Sequence, residues 1–357
     1  MSRTWLSLAL LLVFCSGAFA QEQPSGDKEQ ANFYAVPDVD DSSALKDFIV
    51  KILSHEPRSR AEAKTHQQNA IGAIRGAAGK IMKLEKEDSE TYKVAEAVLL
   101  QIDIQDLSNN SQAPAKPVVD RVMGFVKKIG KKSGGFEAEL LMMLGNVLEN
   151  STPERLALAG EAYAEGAKLL SESEDEQVRE FAKLKLAGMG RRIGLPGNAI
   201  EVKGTTHAGQ PFDISTLKGK VVLVDFWATW CGPCLMEIPN MLDNYKRFGP
   251  HGFEIVGISL DQSRDRLDEM LKVRQLPWII LHEDTGKGGH PAADYYGVHA
   301  IPAMFLVGRD GKVISTSANG DALTRLLEEQ FPKVVEAEKA AAKESAEKES
   351  AKESPAK

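Results

Sequence analysis

The amino-acid sequence predicts two folded parts in series, an all-α domain of helical hairpins followed by an α/β sandwich. Three observations predict it. From Ser42 to Gly190 the apolar residues recur at helical spacing. Beyond Arg192, short β-type runs alternate with helical ones. One of those runs, Val221–Trp227, is apolar except at Asp225, as a strand covered on both faces would be. A length of 357 residues is ample for two cores.

In the first part, Leu45, Phe48, Ile49, Ile52 and Leu53 form the stripe of an amphipathic helix. Val118, Val122, Phe125, Val126 and Ile129 repeat that geometry, as do Leu140, Leu144, Val147 and Leu148. Glu56-Pro57, Ser108-Asn109-Asn110, Ser133-Gly134-Gly135 and Ser151-Thr152-Pro153 break the helices. The last of these places Thr152 as an N-cap and Pro153 at the first helical position. About seven helices result, stacked as hairpins without a clean sequence repeat. Gly72, Gly76 and Gly79 share a helical face, which suits either a close helix crossing or a weak, kinked helix.

In the second part, Ala199–Gly204 and Gln210–Ile214 flank the turn His207-Ala208-Gly209 and read as a hairpin. After Val221–Trp227 comes a helix with Ile238, Met241, Leu242, Tyr245 and Phe248 inward. Phe253–Ser259 is a second buried strand, Arg264–Arg274 a helix and Trp278–His282 a short strand. Ala303–Val307 and Lys312–Ser317 flank the turn Arg309-Asp310-Gly311, and Leu323–Phe331 closes the fold as a helix.

The ends read differently. Arg3, the apolar run Trp5–Phe14 and the small-residue end Ala18-Phe19-Ala20 have the pattern of a secretory signal cut after Ala20. An uncleaved anchor and lipidation at Cys15 are the lesser alternatives. The run is short for a bilayer, and bulky Phe14 precedes that cysteine. The expected organisation is a signal over 1–20, a polar flexible leader over 21–41 and the helical domain over 42–192. The sandwich then covers 193–335, entered through the break Ile193–Gly197, and a charged low-complexity tail covers 336–357.

Composition excludes several classes. With 44 basic against 51 acidic residues the net charge is −7, which argues against nucleic acid as a partner. With 3 cysteines the chain is no disulfide-stapled scaffold, and signal cleavage would leave only Cys231 and Cys234. Two cysteines three positions apart in an exported chain point to redox chemistry.

Those cysteines stand where the buried strand gives way to a helix, in Trp227-Ala228-Thr229-Trp230-Cys231-Gly232-Pro233-Cys234. Cys231 at a helix start meets free N–H groups and the positive dipole end, which favour its thiolate. Cys234 lies one turn on, within disulfide reach, and is expected to be the more buried. Cys231 would attack a substrate disulfide and Cys234 would resolve the mixed disulfide. Asp225, a desolvated carboxyl in an apolar strand, is a candidate proton acceptor. Zinc would need two further ligands, and His282, His290 and His299 lack the spacing to supply them, so no metal and no cofactor are expected. An inert bridge over so short a gap would stabilise little.

This segment resembles the active site of the thioredoxin superfamily. With Cys234-Leu235-Met236-Glu237-Ile238-Pro239 and the leading hairpin, the chain from Ile193 to Lys333 is similar to the TlpA/ResA-like thiol–disulfide oxidoreductases. The resemblance implies a thioredoxin-like α/β sandwich and a redox-active disulfide between Cys231 and Cys234. It implies a cis-proline at Ile301-Pro302 facing the pair, and makes Asp225 the buried acid. Glu237 becomes an acidic residue near the cysteines; the plain alternative is an exposed helix position. Trp230, Gly232, Pro233, Ile301 and Pro302 would line the substrate site.

The function expected is an exported thiol–disulfide oxidoreductase of the periplasm that reduces protein disulfides through Cys-Gly-Pro-Cys. The resemblance implies electrons from a membrane thiol carrier, and names apocytochrome c among the family's substrates. The rival readings are a scaffold that binds a partner through its helical half, with the redox domain as regulator, and a thiol peroxidase. The latter's P-x-x-x-T-x-x-C pattern is missing here. Nothing in the sequence identifies a partner for the helical domain.

Overall fold

A computed structural model describes residues 33–149, 151–284 and 288–352. The expected signal over 1–20 and the start of the leader lie outside the described residues. The chain forms two compact units that divide between Arg179 and Glu180.

The first unit is helical: α1 Ser42–Leu53, α2 Arg60–Leu84, α3 Glu90–Asn109, α4 Lys116–Ile129, α5 Gly135–Glu149 and α6 Pro153–Leu170. Four of these six starts are capped by short polar side chains that accept orphan backbone N–H groups. Asp41 accepts from Ser43, Ser59 from Glu62 and Ser89 from Tyr92. Thr152 accepts from Arg155 with Pro153 at the first helical position. The stripes bury as the spacing requires, with Leu45, Phe48, Ile49 and Ile52 on α1 and Val122, Phe125 and Val126 on α4. On α4 Val119 rather than Val118 joins them. Successive helices pack as neighbours, α1 on α2, α2 on α3 and α5 on α6.

Two features of this unit differ from the sequence expectation. The leader, read as flexible to Asp41, lies against α1 and α2 from Phe33 on. The Tyr34 hydroxyl meets His66 Nδ1 at 3.0 Å, and Lys80 Nζ donates to the Pro37 carbonyl at 2.9 Å. Gly76 serves this leader: a Cβ there would come within 2.9 Å of the Val36 side chain, while Gly72 and Gly79 have open space.

The boundary falls inside a helical stretch, α7 Glu176–Phe181 running through a π-helical turn Ala182–Leu186 into α8 Ala187–Ile193. The sequence places this stretch up to Arg192 in the helical domain. In the structure the part from Glu180 belongs with the sheet. The physical reason is a backbone crossing: a Cβ on Gly188 would lie 2.6 Å from the Gly297 nitrogen, and Gly297 has φ +59°. Only glycine tolerates both conditions.

Then come β1 Lys203–Thr205, β2 Pro211–Asp213, β3 Val221–Trp227, α9 Gly232–Phe248, β4 Phe253–Ser259, α10 Arg264–Val273, β5 Ile279–His282, α11 Pro291–Tyr295, β6 Ala303–Val307, β7 Val313–Ser315 and α12 Asp321–Gln330. β1 and β2 pair antiparallel as the expected hairpin. The main sheet has the order β5-β4-β3-β6-β7, with β3, β4 and β5 parallel and β6 antiparallel to β3. This is the thioredoxin-like sandwich, with β3 in the centre. Alternation along β3 divides its side chains. Val221, Leu223 and Trp227 enter a core with α9, α10 and α12, which also holds both cysteines. Val222, Val224 and Phe226 enter the opposite core with α11. The tail forms a helix, α13 Pro332–Lys352, whose Glu338 is held by Arg247 at 2.7 Å.

Candidate active site

β3 ends at Trp227, whose carbonyl accepts from Leu260 N–H at 2.8 Å, and the chain turns sharply so that Cys231 N–H reaches the Ala228 carbonyl at 3.1 Å. The turn delivers Cys231 to the N-cap of α9, with Pro233 in the first helical turn. Proline is compatible there because its missing N–H would have no intrahelical acceptor. Cys231 Sγ accepts the Cys234 N–H at 3.2 Å. The two cysteines are joined as a disulfide with S–S 2.03 Å.

Cys234 is the more buried of the pair, as the sequence predicts, at 3% exposed, but Cys231 at 5% is buried as well. The Ile301 carbonyl oxygen lies 3.7 Å from its sulfur and covers it. The exposed surface here belongs to neighbours: Trp230 is 61% and Met236 74% exposed, and Gly232 and Pro233 are exposed as well. Ile301 and Pro302 are half-buried, and the bond between them is cis.

Asp225 is buried on the same side of β3 as the cysteine core. Its strand neighbours in register are Gly257 on β4 and Met304 on β6, neither of which offers a polar side chain. Its Oδ1 accepts no hydrogen bond from the described residues. Burial, with the negative charge of Glu237 as a second cause, pushes the Asp225 carboxyl up to about 8. Glu237 is half-buried rather than an exposed helix position. Its Oε2 accepts Gly320 N–H at 2.9 Å, while Asn240, one turn along α9, donates to the Gly320 carbonyl at 3.0 Å. The start of α12 thus fixes the Glu237 carboxylate.

The structure therefore gathers Cys231, Cys234, Asp225, Glu237, Trp230, Gly232, Pro233, Ile301 and Pro302 around one end of β3 and the start of α9. Sequence reasoning missed Asp261, which is 1% exposed and bonded to Thr229 within the same turn. The available signal was its place just beyond the carboxyl end of a parallel strand, where sheets of this type build sites. Among the described residues no group of three or more His, Cys, Asp or Glu is arranged to hold a metal ion. No helix among them is long and apolar enough to cross a membrane.

The chemistry of such an arrangement is thiol–disulfide exchange, and comparison with known proteins agrees. The AhpC/TSA family model matches residues 196–316. The thiol-disulfide oxidoreductase ResA of Bacillus thuringiensis subsp. konkukian is 32% identical over 130 residues, covering 36% of this chain and 72% of the relative. ResA of Bacillus subtilis is 35% identical over 107 residues, covering 30% of this chain and 57% of the relative. Among solved structures, the thioredoxin domain of a thiol-disulfide oxidoreductase from Bacteroides vulgatus has 27% identity and a TM-score of 0.34, covering 37% of this chain and 93% of that one. A relative matched at 32% identity over most of its own length shares more than an architecture with this protein: the chain belongs to the ResA family of thiol-disulfide oxidoreductases.

Proposed function

We propose that this enzyme is exported and reduces protein disulfides through Cys231 and Cys234. The observation that carries the reading is Cys231 at the N-cap of α9, its sulfur accepting the Cys234 N–H, in a core shared with the buried Asp225 carboxyl. The Cys231 thiolate attacks one sulfur of a substrate disulfide. The substrate S–S bond breaks, and the second substrate sulfur leaves as a thiolate that takes a proton from water. Cys234 then gives its proton to the Asp225 carboxylate and attacks the Cys231 sulfur of the mixed disulfide. The bond between Cys231 and the substrate breaks, and the substrate sulfur leaves as a thiolate and takes up the proton that Asp225 releases. The substrate thus departs as a dithiol, reduced by two electrons, and Cys231–Cys234 is left oxidised. A dithiol donor, in our reading a membrane thiol carrier, returns the pair to the reduced state. An acid with its pKa near 8 can take up and release that proton at neutral pH.

Trp230, Gly232, Pro233, Ile301 and Pro302 form the rim that receives the substrate strand, supported by the Ile301 carbonyl lying against Cys231 Sγ. Glu237 modulates Asp225 by charge. The pattern from Arg3 to Ala20 supports export to the periplasm. The helical unit, in this reading, supplies a docking or dimerisation function and no redox chemistry. The test is reduction of insulin disulfides by the full chain, driven by dithiothreitol. Turnover abolished by Cys231→Ser supports the proposal, and turnover that survives it refutes the proposal.

A further inference from the structure

We propose that Asp261 is a positioning residue for the reactive thiol, fixing through Thr229 the turn that carries Cys231. The inference rests on the reading of Cys231 and Cys234 as the reactive pair. Asp261 lies two residues beyond the end of β4, and its carboxylate is saturated by hydrogen bonds. Oδ1 accepts from Thr229 N–H at 3.1 Å and from Thr229 Oγ1 at 2.6 Å. Oδ2 accepts from the same N–H at 3.1 Å and from Ser259 Oγ at 2.8 Å. The Asp261 backbone is held as well, its N–H donating to Ser259 Oγ at 3.2 Å and its carbonyl accepting from His282 Nε2 at 3.1 Å.

A carboxylate removed from water is costly unless its lone pairs are used. Here the donors shown are neutral, and the side chain is 1% exposed. Three of the four side-chain contacts come from Thr229 and the fourth from Ser259 at the end of β4, so Asp261 ties the turn to that strand through Thr229. Thr229 is two positions before Cys231. Leu260, the residue before Asp261, holds the Trp227 carbonyl at 2.8 Å, so two consecutive residues after β4 clamp two points of the Trp227–Cys231 turn. Hydrogen bonds to an ionised acceptor are roughly twice as strong as neutral ones, which makes the Asp261–Thr229 contact the stiff point of that turn.

The consequence falls on Cys231 Sγ. Its hydrogen bond from Cys234 N–H, at 3.2 Å, is close for a sulfur acceptor and depends on where the turn places the sulfur. Such contacts weaken steeply as they misalign. If the turn loosens, the thiolate loses its donor and its place at the helix start. Asp261 acts on the thiol only through Thr229 and the turn.

The sign of the effect separates this role from a simple charge effect. Removing a negative charge near a thiol lowers its pKa, whereas losing the aligned donor raises it. The test is the pH dependence of Cys231 alkylation by iodoacetamide in reduced full-length protein carrying Cys234→Ser. Asp225 and Glu237 are intact in every variant. Thr229→Val, which alters no charge, should raise the midpoint by about one unit, a tenfold loss of thiolate at fixed pH. Thr229→Ser, which keeps the hydroxyl, should restore it. Asp261→Ala should raise it at least as far, with unchanged far-ultraviolet circular dichroism. A lowered wild-type midpoint that Thr229→Val leaves in place overturns the role of Asp261, as does a fall in Asp261→Ala. If Asp261→Ala does not fold, Thr229→Val decides alone. A wild-type midpoint at the ordinary thiol value overturns the reading of the pair as well.

Discussion

The Cys234 backbone N–H points at the Cys231 sulfur, 3.2 Å away, so the second cysteine supports the first before it reacts with it. The contact exists because Cys231 occupies the N-cap of α9, where the first N–H groups have no helical acceptor. A sulfur there gains from the hydrogen bond and from the helix dipole, and both act on the thiolate. The Cys231 thiol should therefore titrate at least about one unit below the ordinary 8.5. Alkylation rate against pH in the reduced protein measures it.

Asp225 should govern the second half of the reaction and the pH dependence of stability. Asp225→Asn should slow resolution of the mixed disulfide about tenfold or more, the lower range for general acid–base catalysis, and leave the first attack nearly unchanged. Rapid-quench separation of the two steps checks this. With its pKa raised to about 8, folded Asp225 holds a proton that the unfolded chain releases near 3.9. Its contribution to stability is thus complete below about pH 4 and is lost as pH rises through about 8. Urea unfolding of the second unit should weaken over that window in the wild type. Asp225→Asn should flatten the loss and be the more stable at pH 9, by on the order of a few kcal/mol.

The helical unit offers a separate test at Arg155. This guanidinium is 4% exposed and donates to the carbonyls of Leu107, Asn110 and Ala113 at 3.0, 2.8 and 2.7 Å, pinning the end of α3 from the start of α6. Arg155→Ala leaves those carbonyls without the charged donor and should cost about 2–4 kcal/mol. The described tryptophans, Trp227, Trp230 and Trp278, all lie in the second unit. The circular dichroism transition in urea should move to lower denaturant while the tryptophan fluorescence transition stays in place. A shift of both together would show that the two units unfold as one.

The close crossing of Gly188 and Gly297 makes the helical stretch after Glu180 part of the redox unit. A fragment from Glu180 to Val335 should be more stable than one from Ile193 to Val335. Gly188→Val, placing a branched side chain against the Gly297 backbone, should reduce the longer fragment to the stability of the shorter. Thermal melts of the three proteins decide it.

How legible these features are in the sequence follows from how local their causes are. Val221–Trp227, Phe253–Ser259 and Ala303–Val307 can be read to the residue because strands covered on both faces leave near-continuous apolar runs. α11 escapes such a reading because five residues are too few to show a stripe, and its start is capped by His290 rather than by a short polar side chain. The stretch around Gly188 reads as part of the helical half, since helical spacing says that a face is buried but not in which core. The cover over Cys231 comes from Ile301, seventy positions away, and no local pattern encodes it. Asp261 reads as an ordinary residue after a strand, because its importance lies in the Thr229 it bonds to 32 positions earlier. The chemistry is legible because a cysteine pair at a strand-to-helix junction is a short, local signal. The supporting shell around it is built from distant residues.

In the proposed mechanism Cys231 attacks and Cys234 resolves. The most direct test is mixed-disulfide trapping by full-length protein carrying Cys234→Ser or Cys231→Ser, read on non-reducing gels with a disulfide-containing protein substrate. Cys234→Ser should accumulate a covalent complex that dithiothreitol releases, and Cys231→Ser should trap almost none. Stronger trapping by Cys231→Ser would reverse the two roles and contradict the mechanism.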